Sequence, residues 1–305
     1  MNKTINDPWI KLSGCLCQEE YDLIHLLQLH CSKEDQIILK LELDYKLSDA
    51  ANGADKAHIH NINEFMYFSG AQLAGYLGIS AFGGTSAPLE ITGMVHPDYR
   101  RQGIFSKLFE LALAEGRRRN TDSMLLLCDR NSASGQTFLE KSGASYSVSE
   151  FEMYLQDDTA EVNKRRMCDI SFSKATNADA FEIARQNVIY FGSSFDEENE
   201  NIPLPEDEEK RGMTIYLAKK DDQIVGKVHL QLTNGLGGIY GLGVLQEHRG
   251  KGFGRAILLG AVEKLKAANA TEIMLQVAAE NATALNLYKS CGFRETSIMD
   301  YFELE

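Results

Sequence analysis

The sequence of 305 residues lacks several features that mark other classes of protein. No apolar stretch approaches the ~20 residues that a membrane-spanning helix needs, and the N-terminal residues MNKTINDPWIKLSG contain no apolar core of signal-peptide length. The six cysteines form no CxxC pair, which argues against both a disulfide framework and a structural metal site. We therefore expect a cytoplasmic protein with no membrane partner and no bound metal.

Basic residues are also in deficit. The chain has 31 Lys and Arg against 44 Asp and Glu, a net charge of −13. Because phosphate binding needs a basic face, this balance argues against a nucleic-acid partner, whereas it is compatible with a cationic or amine substrate. The hydrophobic content of 44% is that of an ordinary globular protein, and the length suits two domains of roughly 150 residues.

The chain contains an internal repeat. The segment ITGMVHPDYRRQGIFSKLFELALAEG, from residue 91, aligns with YGLGVLQEHRGKGFGRAILLGAVEKL, from residue 240, at a constant shift of 149 residues. The register continues without a gap through two short apolar runs, Met124–Cys128 and Ile273–Val277. A gapless register of about fifty residues indicates a duplication.

Both halves predict the same order of elements. Helical patterns cover residues 19–29 and 178–190, and Thr176 is placed to cap the second helix. Residues 65–79 and 214–228 each predict a β-hairpin, because apolar runs flank polar turn residues. The full order is helix, hairpin, strand, Gly-rich turn, helix, strand, helix, strand, which predicts two mixed α/β domains.

A linker is expected between the halves. Residues 156–166, QDDTAEVNKRR, are charged and nearly free of large apolar side chains. We therefore expect an N-terminal domain over residues 1–155 and a C-terminal domain over residues 167–305.

A Gly-rich turn, RGKGFG, lies between an apolar strand ending near Val244 and a helix starting near Phe253. A helix N-terminus presents unpaired N–H groups and a positive dipole end, which favour an anion. Glycines let the backbone approach a phosphate, and the neighbouring cations add charge. The spacing fits neither the P-loop nor the dinucleotide fingerprint. The candidate phosphate-binding residues are Arg249, Gly250, Lys251, Gly252, Phe253, Gly254 and Arg255.

Residues 244–254, V-x-x-E-x-R-G-K-G-F-G, resemble the pyrophosphate-binding motif of the GCN5-related N-acetyltransferases. Residues 281–293, NATALNLYKSCGF, resemble that family's second CoA-side motif. The resemblance covers most of each half and is strongest over residues 240–293. It implies two tandem domains of the family's fold, each an α/β domain with a central mixed, splayed β-sheet flanked by helices.

The resemblance also implies acetyl-CoA as cosubstrate and a primary amine of a small molecule or peptide as acceptor. Leu242, Gly243 and Val244 would line the pantetheine arm where two parallel strands splay apart. Asn281 would contact the pantetheine, and the hydroxyl of Tyr288 would lie near the thioester sulfur. The implied chemistry is direct attack of a neutral amine on the acetyl carbonyl, polarised by strand N–H groups, with a tyrosine as acid for the departing thiolate.

Each of these residues also has a structural interpretation. Asn281 is a good N-cap, and Tyr288 could be a core aromatic residue. The general base is less clear, because no Glu stands on the predicted strands over residues 224–244. His229 and Tyr240 are the candidates, His229 because an imidazole titrates near neutrality, although a histidine on a strand face is more often structural.

The first half lacks the chemistry-bearing residues at the matched positions. Phe105, Ser132 and Leu139 stand where the second half has Gly254, Asn281 and Tyr288. Because a leucine cannot donate a proton, we expect the C-terminal domain to be the enzyme and the N-terminal domain to be degenerate, with at most weak CoA binding. The alternatives are a non-catalytic acyl-CoA-binding or sensing module, and transfer of a longer acyl group on the same fold.

Overall fold

A computed structural model describes residues 3–51, 61–81, 88–121, 123–156, 168–192 and 202–304. The expected linker lies outside these ranges except for Gln156. The chain divides into two compact units, the first made of Met1–Ser149 with Ser297–Glu305 and the second of Glu150–Thr296.

The described elements follow the order that the sequence predicts, with one further strand at the start of each half and one further short helix before each hairpin. They are β1 (Pro8–Ser13), α1 (Gln18–Asp35), α2 (Leu43–Ala51), β2 (Glu64–Ser69), β3 (Gln72–Ala81), β4 (Leu89–Val95), α3 (Ile104–Arg118), β5 (Met124–Asp129), α4 (Ala133–Ser142), β6 (Ser145–Leu155), β7 (Ser171–Lys174), α5 (Ala180–Phe191), α6 (Pro205–Lys210), β8 (Met213–Lys220), β9 (Gln223–Thr233), β10 (Leu236–Val244), α7 (Phe253–Ala267), β11 (Glu272–Ala278), α8 (Ala282–Ser290) and β12 (Phe293–Leu304).

The two units have the same sheet. The first has the strand order β1-β2-β3-β4-β5-β12 and the second has the order β7-β8-β9-β10-β11-β6. Within each sheet one central pair is parallel, β4 with β5 and β10 with β11, and the other pairs are antiparallel. The mixed α/β fold expected of each half is therefore confirmed.

Each unit completes its sheet with a strand from the other half of the sequence. Residues 150–154 of β6 pair with β11, whereas residues 299–304 of β12 pair with β5. The units therefore differ from the expected domains, residues 1–155 and 167–305. The repeat register shows which residues correspond, but it does not show which copy of the last strand joins which sheet.

Helices cover both faces of each sheet. On one face, the apolar stripes of α3 and α7 that the repeat predicted are buried, with Leu108 and Ala112 matched by Ile257 and Ala261. On the opposite face, α1 packs over the first sheet and α5 over the second, where Ile183 joins a small cluster with strand residues. This helix α5 contributes to the candidate site.

Candidate active site

The parallel strands of the second unit separate part-way along their length. β10 and β11 pair from Leu236 and Glu272 to Ile239 and Leu275, whereas β10 itself continues to Val244. The edge of β10 beyond Ile239 therefore faces an opening toward β11. Backbone N–H and C=O groups along such an edge need other partners, which an extended ligand can supply.

A bulge in β10 lies at the same opening. On β9, His229 pairs with Tyr240 and Lys227 with Gly243, so three steps along β10 match two along β9. Gly241, within the bulge, has a φ of +54°, and a Cβ there would lie 3.1 Å from Cδ2 of His229. A bulge leaves its extra residue out of the ladder and bends the strand, which turns backbone groups toward the opening.

The expected pantetheine-binding residues of β10 have unequal surroundings. Leu242 and Val244 are partly buried and pack on the edge of the core. Gly243 is buried, and the ring of Tyr190 from α5 lies against it so closely that no side chain would fit. Packing against Tyr190 therefore requires a glycine at this position.

The Gly-rich turn leads into α7, which begins at Phe253 as predicted. Gly250 and Gly252 have φ values of +75° and +86°, a region that favours glycine. Gly252 is the N-cap residue, so the unpaired N–H groups of the first helical turn follow it directly. Gly254 lies inside that first turn, and a Cβ there would meet Leu287 of α8 at 3.3 Å.

The cations of this turn also hold the local backbone. Arg249 donates from Nε to the carbonyl of Val244 at 3.1 Å, and Lys251 donates from Nζ to that of Glu247 at 2.9 Å. Arg255 donates to the Ser290 hydroxyl at 2.7 Å, which ties α7 to the end of α8. Their side chains are exposed or partly exposed at the helix N-terminus, where their charge adds to the dipole.

Helix α8 carries the second motif. Asn281 is its N-cap and accepts a hydrogen bond from the backbone N–H of Ala284 at 3.1 Å, so the capping interpretation is confirmed. Tyr288 is buried in the core of the unit and its ring lies 6.3 Å from that of Phe293. Burial raises the pKa of Tyr288 to about 12, so its hydroxyl keeps its proton at neutral pH.

Lys227 is a residue that the sequence analysis did not single out. It is wholly buried, and its Nζ lies 2.9 Å from Nε2 of His229. Burial lowers the pKa of Lys227 to about 7, and burial together with Lys227 holds the pKa of His229 well below its usual value. The available signal was a lysine inside the apolar stretch Gln223–Leu230.

The first unit matches the second at the strand opening and at the helix cap, but not at the bulge. Its strand β4 pairs with β3 in unbroken register from Gly75 and Val95 to Ala81 and Leu89, so the counterpart of the bulge is a regular ladder. Ser132 caps α4 as Asn281 caps α8, with its hydroxyl accepting from Gly135 at 3.2 Å.

A cavity of about 430 Å³ occupies the matched place in the first unit. It lies between β4 and β5, and its walls include Ile91, Phe105 and Leu139. Phe105 turns its ring edge against Phe138, with centroids 4.7 Å apart, so it packs into the wall of this cavity. Leu139 is buried in the core, where Tyr288 stands in the second unit.

The described residues contain no group of three or more His, Cys, Asp or Glu side chains arranged to hold a metal ion. None of the helices in the described part of the chain is both long and apolar enough to cross a membrane.

Comparison with known proteins bears directly on the two motifs at residues 244–254 and 281–293. The sequence profile of the Acetyltransferase (GNAT) family matches residues 30–144 and 181–293, one match in each half. The chain belongs to the GNAT family. The two matches also confirm that the chain is a tandem member of that family.

Individual relatives match over shorter stretches. A mycothiol acetyltransferase of Acidothermus cellulolyticus is 36% identical over 105 residues, covering 29% of this chain and 32% of the relative. An N-alpha-acetyltransferase of Sulfurisphaera tokodaii is 28% identical over 101 residues, covering 29% of this chain and 60% of the relative. The chain therefore matches about a third and three-fifths of these relatives' own lengths.

Solved structures match over the whole chain. A GCN5-related N-acetyltransferase from Sphaerobacter thermophilus has a TM-score of 0.73 at 19% identity, covering 99% of this chain and 97% of that one. A tandem GNAT protein from the clavulanic acid biosynthesis pathway has a TM-score of 0.71 at 14% identity, covering 98% of each chain. At these identities the likeness shows the fold, and it agrees with the tandem arrangement.

Proposed function

We propose that the second unit transfers an acetyl group from acetyl-CoA to a primary amine of a small molecule or peptide. The observation that carries this proposal is the joint position of two features on β10. The edge of β10 is open between Ile239 and Val244, a bulge lies within that stretch, and the Gly-rich turn follows the strand within five residues. An extended thioester with a pyrophosphate at one end needs both features in this order.

The donor would bind through backbone and charge. Gly250 and Gly252 bring the main chain close to a pyrophosphate, the N–H groups at the start of α7 point at it, and Arg249 supplies a full charge. The open edge of β10 would pair with the pantetheine arm. The exposed N-cap Asn281 stands at the start of the helix that carries Tyr288.

The chemistry would be a direct attack of the amine on the acetyl carbonyl. Backbone N–H groups at the bulge would polarise the carbonyl oxygen, which gains negative charge in the transition state. Tyr288 would donate a hydrogen bond to the departing sulfur. Full transfer of its proton would be uphill, because a phenol of pKa about 12 is a weaker acid than an ordinary thiol of about 8.5.

Two names among the relatives suggest acceptors of different size. One is a mycothiol acetyltransferase and the other an N-alpha-acetyltransferase, which supports a primary amine on a small molecule or on a peptide. The first unit would bind acetyl-CoA weakly or not at all and would not catalyse transfer, since Leu139 replaces the phenol.

The test is titration calorimetry with acetyl-CoA on a matched pair of glycine variants. Gly252→Val should abolish the binding at the second unit, because its side chain would block the close approach of the backbone. Gly103→Val is the control, since Gly103 has a φ of +79° at the matched N-cap of α3. Unchanged affinity in a folded Gly252→Val protein would show that the site is misplaced.

Acetyl transfer is measured on the wild-type chain as release of free CoA thiol. The amines are a short cysteine-free peptide with a free α-amine, glucosamine and ethanolamine. A chain that binds acetyl-CoA but acetylates none of them would favour the non-catalytic binding module, and the same assay with longer acyl-CoA donors tests the third alternative.

A further inference from the structure

We propose that Lys227, hydrogen-bonded to His229, accepts the proton that the acceptor amine loses as it attacks the acetyl carbonyl. This inference rests on the proposed function and names the general base that the sequence analysis left open between His229 and Tyr240. It draws on the position, surroundings and ionisation of Lys227.

The position of Lys227 places its amine at the bulge. Lys227 lies on β9 and pairs with Gly243 along the edge of β10 opposite the opening, and its Nζ lies 3.3 Å from the carbonyl oxygen of Gly241 inside the bulge. The N–H groups proposed to polarise the carbonyl belong to this same short stretch. A base at this point is within reach of a nitrogen attacking there, directly or through one water.

The surroundings of Lys227 are aromatic. Its Nζ lies 5.7 Å from the ring centroid of Tyr190 and 5.6 Å from that of Phe191, both at the end of α5. Among the described residues no carboxylate contacts this amine, and its hydrogen-bond partners there are His229 and Gly241. A buried amine without a counter-ion is expensive to keep charged, so its neutral form is favoured.

The matched position in the first unit is built differently. The match here is by strand pairing: Tyr76 pairs with the residue that precedes Val95, as Lys227 pairs with the residue that precedes Val244. The Tyr76 hydroxyl donates to Glu64, and Lys46 forms an ion pair with that same carboxylate at 3.1 Å. The first unit thus fills this place with a charge-balanced cluster, whereas the second unit holds a single amine beside its bulge.

The pKa shifts of Lys227 and His229 favour the neutral forms that proton acceptance by Lys227 requires. Burial lowers the pKa of Lys227 to about 7, so a large fraction is free amine at neutral pH. The pKa of His229 is held well below its usual value, so the imidazole is neutral over the same range and can accept a hydrogen bond from the lysine. The titratable groups on the elements packed here include Tyr240 on β10, which pairs with His229, and Tyr190 on α5, which is itself influenced by Glu182, Arg249, Arg185 and Glu247.

The acceptor nitrogen forms a C–N bond with the carbonyl carbon, and its proton passes to Nζ of Lys227. The C–S bond breaks, and the thiolate leaves with a hydrogen bond from Tyr288. The resulting lysyl ammonium remains hydrogen-bonded to His229 and Gly241 until it returns its proton to the thiolate or to water, so amine and thioester become amide and thiol.

The test compares Lys227→Arg with Lys227→Met in the CoA-release assay, using whichever of the three amines the wild-type chain acetylates fastest. Arginine keeps the positive charge but cannot act as a base near neutrality, and methionine keeps the bulk without a charge. Both variants should lose about 10²–10⁴ in kcat, with the KM for acetyl-CoA changed less than about threefold. The rise of wild-type kcat with pH near 7 should be absent from both.

Lys264→Met is the matched control. Lys264 also lies over aromatic rings of the second unit, 4.3 Å from Tyr216 and 5.4 Å from Phe172, but on α7. It should keep wild-type kcat. A Lys227→Arg protein with at least a third of wild-type kcat would overturn the inference, because the charge alone would then suffice. A variant that loses kcat but keeps the rise of kcat with pH near 7 would overturn it as well.

A direct titration covers the case in which the variants do not fold. In the wild-type protein labelled with ¹⁵N-lysine, the amine of Lys227 should titrate with a midpoint near 7 by NMR, and a midpoint above about 9 would rule it out as the base. If the wild-type chain is active and the Lys227 variants keep its kcat, this inference alone is contradicted. If the wild-type chain acetylates none of the amines, the proposed function and this inference are both contradicted.

Discussion

Arg249 and Arg100 make the same backbone hydrogen bond at matched positions and differ in what else they touch. Each donates from Nε to the carbonyl of the last residue of its strand, Val244 or Val95, at 3.1 Å. Arg100 also forms a bidentate ion pair with Asp35, at 2.6 and 2.8 Å. Within the described ranges Arg249 has no such carboxylate. Of the two arginines, Arg249 is therefore the one whose charge is available to an anion at the turn.

Exchanging each arginine for glutamine should therefore have opposite effects. Arg249→Gln should weaken acetyl-CoA binding about tenfold, the effect of losing one charge-assisted hydrogen bond to phosphate, and leave stability nearly unchanged. Arg100→Gln should leave that affinity unchanged and lower the free energy of unfolding by about 1–2 kcal/mol, because Asp35 loses its partner. Calorimetry and urea unfolding on both variants measure this. The reverse pattern would mean that the first unit holds the main CoA site.

Tyr288→Phe should separate binding from chemistry. The ring packing is conserved while the hydroxyl is lost, so we expect unchanged affinity for acetyl-CoA and a fall in kcat of about 10²–10⁴. Tyr216→Phe is the control, since Tyr216 lies on β8 with its ring beside Phe172 and Lys264. Wild-type kcat across the whole pH range in the Tyr288→Phe protein would remove this hydroxyl from the mechanism.

Glu115 makes the free energy of unfolding of the first unit depend on pH. This buried carboxylate accepts hydrogen bonds from Arg118, Arg119 and the backbone N–H of Ile62, and despite the opposing effect of burial these lower its pKa to about 2. A carboxyl group with a lowered folded-state pKa contributes stability above its ordinary pKa of 4.5, and that stability is lost as the pH falls toward 2.

Glu115→Gln should accordingly lower the free energy of unfolding by about 2–3 kcal/mol at pH 7, and by progressively less between pH 4.5 and pH 2. Urea unfolding at several pH values gives the measurement. Glu110→Gln, on the exposed face of the same helix, should behave like the wild type. A deficit for Glu115→Gln that does not shrink on acidification would show that packing, and not charge, is responsible.

Deleting residues 297–305 should destabilise the first unit, although these residues end the second half of the sequence. The deletion removes the buried side chains of Met299 and Tyr301 and leaves β5 without its antiparallel partner. Losses of about 2–5 kcal/mol for each large buried side chain predict that this unit unfolds or becomes marginal. Hydrogen exchange read by mass spectrometry should show lost protection in β5 and retained protection in β9. Protection of β5 in the shortened chain would contradict the strand assignment.

Local signals predicted several elements of both units correctly. The start of α7 at Phe253, both hairpins and the cap at Asn281 follow from residue type and spacing over a few positions. Because capping alone accounts for the hydrogen bond of Asn281 and recurs in the first unit, its contact with pantetheine stays a prediction.

The features that the sequence did not predict depend on residues far apart in the chain. The burial of Lys227 comes from Tyr190 and Phe191, which precede it by more than thirty residues and lie on another element. The bulge is a one-residue difference in pairing between β9 and β10, which residue patterns do not mark. The partners of β6 and β12 were equally hidden, since both strands follow a glycine at matched positions and either could close either sheet.

The crossed placement of β6 and β12 has a consequence for how such a chain can evolve. Once two copies of a gene have fused and traded their final strands, neither copy can be deleted or shuffled into another protein without leaving an open sheet edge behind. A mutation that removes a catalytic group from one copy does not relax selection on the folding of that copy. The half that we propose to be inactive is then retained because its partner cannot fold correctly without it.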